Sequence, residues 1–269
     1  MPFTPAHIAA VLPVLRWRDR LRLDATCLVV GSMGPDLEYF ARGELTGRLG
    51  HTLLGALVWG VPATLAVAAA FHLAMKWPLL LCAPRAIAAR AARAVHRPWP
   101  PRWSALALAS LVISAYVGNL THIAWDGCTH HDGWAVERWS RLSEPIALPG
   151  LGTMVRFRLL QHLSTIAGLS ALALVLLRRA LGAAPLALPP APRAGPRVVL
   201  AVCAALAVAA LCGRLVLVDR VQLGHLVAAA IAGLLAGALV ASGLLLRRAR
   251  RWRAAIDQAL VNPPSTTSV

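Results

Sequence analysis

The chain has 269 residues, 58% of them hydrophobic and 14% charged, with a mean hydropathy of +0.64. A water-soluble domain carries about 25% charged residues, so this chain lacks the polar surface of a soluble globule. The formal net charge of +16 sits almost wholly on arginines that flank apolar runs, which reads as topogenic charge rather than as the basic face of a nucleic-acid binder.

In chain order, the opening MPFTPAHIAAVLP has prolines inside its apolar stretch and no basic n-region. A cleavable signal peptide is therefore not expected. The apolar stretch Leu23–Met33 is too short to span and is expected to be interfacial, re-entrant or packed on a bundle. Spans of about 20 apolar residues are expected near Thr52–Phe71, Ser104–Ala124, Leu163–Leu177, Val198–Val218 and Leu223–Leu246. Scarce Tyr and Phe and the lack of strict alternation argue against a β-barrel. The fold class is thus all-α: a polytopic transmembrane bundle of about five spans with N-terminal interfacial or re-entrant helices. Residues 1–175 form the motif-bearing domain, 176–197 a Pro/Arg-rich connection, 198–246 two further spans, and 247–269 a basic, then flexible, tail. The five cysteines form no CxxC pair, so neither a zinc knuckle nor a disulfide framework is indicated.

Charge sorts by side. Segments 76–103, 178–197 and the tail carry 15 Lys/Arg, while 1–51, 126–158 and the turn near 219–221 carry 12, counting Arg214 with them. With the acids included, the net charges are +14 and +2. The positive-inside rule places the C-terminus in the cytoplasm of a multi-pass plasma-membrane protein.

Of nine histidines, seven fall on the acid-rich side. Ionisable residues at membrane depth are costly and tend to face a bundle interior or a cavity. In GNLTHIAWDGCTHHDGW (118–134), His122 and Asp126 lie about 40° and 6 Å apart on a helix. Asn119 joins their stripe, and His130 follows one turn later. Such a pair serves either as ligands to one divalent metal or as a hydrogen-bonded pair. In GSMGPDLEYF (31–40), Asp36 and Glu38 read as ligand and base or as an ordinary helix start. His51 opens the first span in GRLGHTLLG. In RLLQHLSTIAG (158–168), Gln161 and His162 interrupt the start of the third.

The segments MPFTPAHIAAVLP, GSMGPDLEYF, GHTLLGAL, THIAWDGCTH and RLLQHLSTIAGL together resemble a family of uncharacterised bacterial membrane proteins, the domain of unknown function 4184, from the first residue to about 175. More distantly they resemble membrane-bound metal-dependent hydrolases related to zinc-dependent phospholipase C. That resemblance implies His7, Asp36, His51, His122 and Asp126 as metal ligands, and the family motif adds His162. The Asp-x-Asp of the hydrolases is here Asp36-Leu37-Glu38, and the second His near their Gly-His is absent.

The expected function is hydrolysis of a phosphoester or lipid head group at the membrane interface, with one or two divalent ions, Zn²⁺ foremost. Glu38 is the expected general base. Asn119, His130 and Gln161 are accessory, and Arg42 and Arg48, with Arg156 and Arg158 nearby, are expected to hold the phosphate. The lipid bilayer is the partner, and nucleic acid is not. Two other readings stand beside this one: a structural or metal-sensing His/Asp core without enzymatic activity, and a transporter.

Overall fold

A computed structural model describes residues 3–43, 45, 49–100, 103–150, 152–191, 195–216 and 222–261. The architecture is the expected transmembrane helix bundle. Five helices are long and apolar enough to cross a membrane: α4 (Leu53–Cys82), α6 (Ala105–Asp126), α8 (Arg156–Gly182), α9 (Gly195–Val216) and α10, whose membrane-length part is Leu223–Gln258. The shorter helices are α1 (Ile8–Leu21), α2 (Ala25–Gly31), α3 (Leu37–Arg42), α5 (Arg85–His96) and α7 (Trp134–Arg138). Contacts divide the chain into two compact units, one of residues 1–42, 46–68 and 102–178, the other of 43–45, 69–101 and 179–269.

In the first unit, α1 and α2 form a helical hairpin packed against α6. Arg22, at φ 54°, ends α1 in the left-handed conformation. Asp24 then caps α2 by accepting from the Cys27 amide at 2.8 Å. The tip is tied to α6 twice: Ser110 Oγ donates to the Arg22 carbonyl at 2.6 Å, and the Asp24 amide donates to Ser114 Oγ at 2.7 Å. Returning along α6, α2 meets it backbone to backbone. A Cβ on Gly31 would lie 2.5 Å from the Ala115 carbonyl oxygen, and one on Gly118 2.6 Å from that of Leu28. Small residues at such a crossing let membrane helices approach closely. From Ser110 to His122 is twelve residues of α6, about 18 Å, so the hairpin reaches that far from the level of His122. Its tip carries Arg16, Arg18, Arg20 and Arg22, which were counted above with the acid-rich side.

Helix α8 starts at Arg156 and not near Leu163, because a β-hairpin absent from the sequence reading feeds directly into it. Strands β1 (Pro145–Leu148) and β2 (Gly152–Val155) pair antiparallel, with Pro145 opposite Val155. About three helical turns in, α8 holds the N-terminal segment. Thr165 Oγ1 accepts from the Phe3 amide at 3.1 Å, and the bare Gly168 backbone leaves room for the Ala6 carbonyl, 2.7 Å from where a Cβ would lie.

In the second unit, a core of Trp77, Leu80, Leu81, Ala88, Ala92, Leu188, Ala249, Trp252 and Ile256 joins the end of α4, helix α5 and the far end of α10. It explains two departures from expectation. Helix α4 runs eleven residues past Phe71 because Trp77, Leu80 and Leu81 are buried there, and Lys76, which reads as a stop, satisfies its ammonium on the Arg97 carbonyl at 3.0 Å. His72 therefore lies inside α4, stacked on Trp99 at 4.5 Å, and not at the end of a span. The basic segment after Leu246 continues α10 to Val261. Of the Pro-rich connection, Leu188 and Pro189 are pinned through their carbonyls by Arg85 and Trp252.

Candidate metal centre

Four segments of the first unit deliver five side chains to one point. His7 ends the 3-10 turn Thr4–His7 that leads into α1. Asp36 lies in the turn between α2 and α3, His51 two residues before α4, and His122 and Asp126 in the last turn of α6. His7, Asp36 and His122 are fully buried and Asp126 is 6% exposed. Two triads, His7–Asp36–His122 and His51–His122–Asp126, keep their ligand atoms within 4.8 Å of one another.

The spacing within this cluster is informative. His122 Nε2 lies 3.2 Å from Asp126 Oδ2 and 3.5 Å from Asp36 Oδ1, and His51 Nε2 lies 3.6 and 3.5 Å from the same two oxygens. His7 Nε2 is 3.5 Å from Asp126 Oδ1. Good N–H···O hydrogen bonds fall at about 2.7–3.2 Å, so four of these five contacts are too long. Ligands held about 2.0–2.1 Å from a tetrahedral centre stand about 3.3–3.4 Å apart, which matches the observed set. Among the described residues, both nitrogens of His7, Asp36 Oδ1, His51 Nε2, His122 Nε2 and both Asp126 oxygens are buried without a hydrogen-bond partner. Buried polar atoms are nearly always satisfied, so the six of these that face one another at ligand spacing, all but His7 Nδ1, fit a divalent cation.

Behind the cluster, a second layer turns those atoms inward. His122 Nδ1 lies 2.8 Å from the Ser32 carbonyl, which can only accept. A neutral ring therefore carries its proton on Nδ1 and presents the Nε2 lone pair, as a metal-ligating histidine usually does. Thr4 Oγ1 donates to Asp36 Oδ2 at 2.6 Å and leaves Oδ1 facing the centre. The Tyr39 hydroxyl is 3.5 Å from His51 Nδ1, with the rings stacked at 5.2 Å. His7 stacks on His122 at 3.9 Å. Burial and the neighbouring His122 lower its pKa to about 4 against the pull of Asp126 and Asp36, so it is neutral at physiological pH. Burial would raise the Asp36 carboxyl, but His122, His51 and Thr4 hold it below the usual carboxylate range.

Other residues singled out in the sequence take different roles. Glu38 does not stand free as a base. Its Oε1 is paired with Arg42 at 3.0 Å and its Oε2 accepts from the Gly50 amide at 2.8 Å. Glu38 thus anchors the backbone beside His51, and Arg42 pairs with Glu38 through Nε and Nη2. Arg156 is likewise paired, with Glu144 at 2.7 Å, and Arg158 is exposed. Arg48 lies outside the described residues. Asn119 is buried, but its amide donates to Ala115 O at 2.8 Å and Thr64 Oγ1 at 3.2 Å, so it ties α4 to α6 and belongs to neither ligand triad. His162 is exposed on α8 and Gln161 half-buried, and neither joins the cluster. Their motif contributes Thr165 and Gly168, which seat the segment bearing His7. His130 does reach the site: its Nδ1 is 3.5 Å from Asp126 Oδ1 and 3.2 Å from the Asp126 carbonyl. Sequence reasoning missed Thr4, Ser32 and Tyr39, although Thr4 and Tyr39 each stand three residues from a ligand.

The fold and the site together define a polytopic membrane protein with a His/Asp cluster at the end of its transmembrane helices. The chain belongs to the family described as Domain of unknown function (DUF4184), which matches it over residues 1–243. The family therefore extends beyond residue 175 to include α9 and most of the apolar part of α10. Comparison with curated proteins and with solved structures finds no match.

Proposed function

We propose that this protein is a metal-dependent hydrolase of the membrane interface, acting on a phosphoester of a lipid head group. The observation that carries the reading is the convergence of six buried, unsatisfied nitrogen and oxygen atoms from five residues. His51, His122, Asp36 and Asp126 would hold the ion, with His7 beside them. A donor set of imidazoles and carboxylates without thiolate suits Zn²⁺. Bound there, a divalent ion supplies Lewis acidity and brings a water's pKa toward about 7.

The remaining chemistry belongs to the chain. His130 takes the proton-accepting role that Glu38 cannot fill. Donation from Nδ1 to the Asp126 carbonyl leaves Nε2 as its basic nitrogen. The side chains of His51 and His130 are 20% and 24% exposed while those of His7, Asp36 and His122 are closed off, which supports access from the His51–His130 side. His122 and Asp126 end one span and His51 precedes another, a depth at which head groups lie. A purely structural core is disfavoured, because contacts of 3.5–3.6 Å forgo the hydrogen bonds that would justify it.

Purified protein should contain at least one divalent ion per chain and release phosphate or an alcohol from head-group phosphoesters, with activity lost in chelator and restored by Zn²⁺. Metal-free protein whose melting temperature is indifferent to chelator would leave only the structural core.

The hairpin also sharpens the proposed orientation. Placing Arg16, Arg18, Arg20 and Arg22 with the far side raises its basic count from 15 to 19 and lowers the near side from 12 to 8. Asp19 and Asp24 move with them, and the net charges become +16 and 0. The rule that counts Lys and Arg then supports a cytoplasmic C-terminus in the plasma membrane. A reporter active only in the cytoplasm should work when fused after Val269 and be silent when inserted near Gly133. The reverse pair of results would overturn the orientation.

A further inference from the structure

Helix α10 is 39 residues long, about 58 Å at 1.5 Å per residue, against about 30 Å of bilayer hydrocarbon. Its apolar run ends at Leu246, and the next seven residues, RRARRWR, contain five arginines. These residues are not a loose tail. Ala249, Trp252 and Ile256 are buried in the core they share with Trp77, Ala88 and Ala92, and Trp252 Nε1 donates to the Pro189 carbonyl at 3.2 Å. With that face buried, the 100° helical step places Arg247, Arg248, Arg250 and Arg251 on the opposite arc, roughly 160° wide. All four are exposed. Among the described residues none of the four has an ion pair or a side-chain hydrogen bond. Arg253 differs, lying 5.2 Å over the Trp77 ring and 3.7 Å from Asp257.

Topogenic charge alone explains why arginines follow the span, but not why the segment is kept rigid with four guanidinium groups on one face. Arg247 with Arg250 and Arg251, and Arg248 with Arg251, are like-charge neighbours at three- and four-residue spacing, which destabilises a helix in isolation. An anionic surface at that depth reverses the sign. Residues 247–251 begin where the apolar run ends and extend less than about 10 Å beyond it, within reach of phosphate groups that guanidinium pairs with well.

We propose that Arg247, Arg248, Arg250 and Arg251 form a binding surface for anionic phospholipid head groups of the leaflet at which α10 emerges. The rigid row holds the charges at head-group level without the ordering cost a flexible tail would incur.

The test uses the full-length protein in vesicles of equimolar phosphatidylglycerol and phosphatidylcholine, extracted gently, with the retained lipids quantified by mass spectrometry. The native protein should retain phosphatidylglycerol in clear excess over phosphatidylcholine, and the excess should fall with added salt. Each arginine removed should lower retention about fivefold. The variant with all four changed to Gln, a good helix former, should therefore show the bulk lipid ratio, while the four-Lys variant keeps most of the excess. Circular dichroism and gel filtration confirm that both variants fold, and if the Gln variant does not, the native salt series and the Lys variant decide alone. Retention at the bulk ratio by the native protein, or an undiminished excess in a folded Gln variant, overturns the proposal. So does loss of the excess in inorganic phosphate but not in chloride of equal ionic strength, which would mark a site for free anions.

Discussion

His122→Ala and Asp126→Ala should each lose most of the bound metal, and the double variant should be little worse than either single. The reason lies in the shared geometry. His122 Nε2 stands 3.5 Å from Asp36 Oδ1 and 3.2 Å from Asp126 Oδ2, and His51 Nε2 faces the same two oxygens. Removing any one of the four leaves three donors, and loss of either aspartate also leaves part of the ion's charge uncompensated. Residues that act as one cluster give non-additive losses. Thr4→Val should fall between native and these variants, since outer partners of a metal ligand are worth about 10–100-fold in affinity and Thr4 fixes only the outer oxygen of Asp36. A hydrogen-bonded core behaves differently. There each single change leaves a partner unsatisfied and costs about 1–3 kcal/mol of stability, with no metal to lose. Metal stoichiometry measured beside the melting temperature separates the two: lowered melting with no ion bound in native or variant protein refutes the centre.

Much of this was legible in the residues, and the rest failed for physical reasons. Apolar length revealed five spans, because a bilayer imposes a minimum on every crossing. It set their ends poorly, because ends depend on tertiary partners. Lys76 reads as a stop until its ammonium is seen on the Arg97 carbonyl, and Arg247 reads as the start of a tail until Trp252 is seen in the core. At the site, His122 and Asp126 were readable from helical spacing, which is local. That His7, Asp36 and His51 meet them was not a matter of spacing, since each comes from a different segment. Glu38 and Arg42 lie one helical turn apart and satisfy each other, a local pairing that was there to be read. His162 was added to the centre by the family motif alone, and the structure leaves it exposed on α8.

The second large effect concerns the crossing that sets the geometry. Gly118→Leu should abolish both the folded first unit and the metal centre, and even Gly118→Ala should destabilise. A Cβ at residue 118 would stand 2.6 Å from the Leu28 carbonyl oxygen, 2.8 Å from the Ser32 amide nitrogen and 2.9 Å from the Gly31 carbonyl carbon. All three are backbone atoms, so no side chain can swing away and α2 itself must shift. Overpacking of this kind costs about 1–3 kcal/mol, and occasionally more. The shift does not stay local. Ser32 follows α2 directly, and its carbonyl holds His122 Nδ1 at 2.8 Å, so moving α2 outward releases the ring that carries a central ligand. The Ala variant should therefore weaken metal binding beyond what its melting temperature predicts. Gly243→Ala provides the contrast. Nothing lies within 4 Å of a Cβ there, and replacing a helical glycine gains up to about 1 kcal/mol. Its stability should be unchanged or raised, and its metal content native. If Gly118→Ala keeps native melting and native metal affinity, the backbone-to-backbone crossing of α2 and α6 does not position the centre.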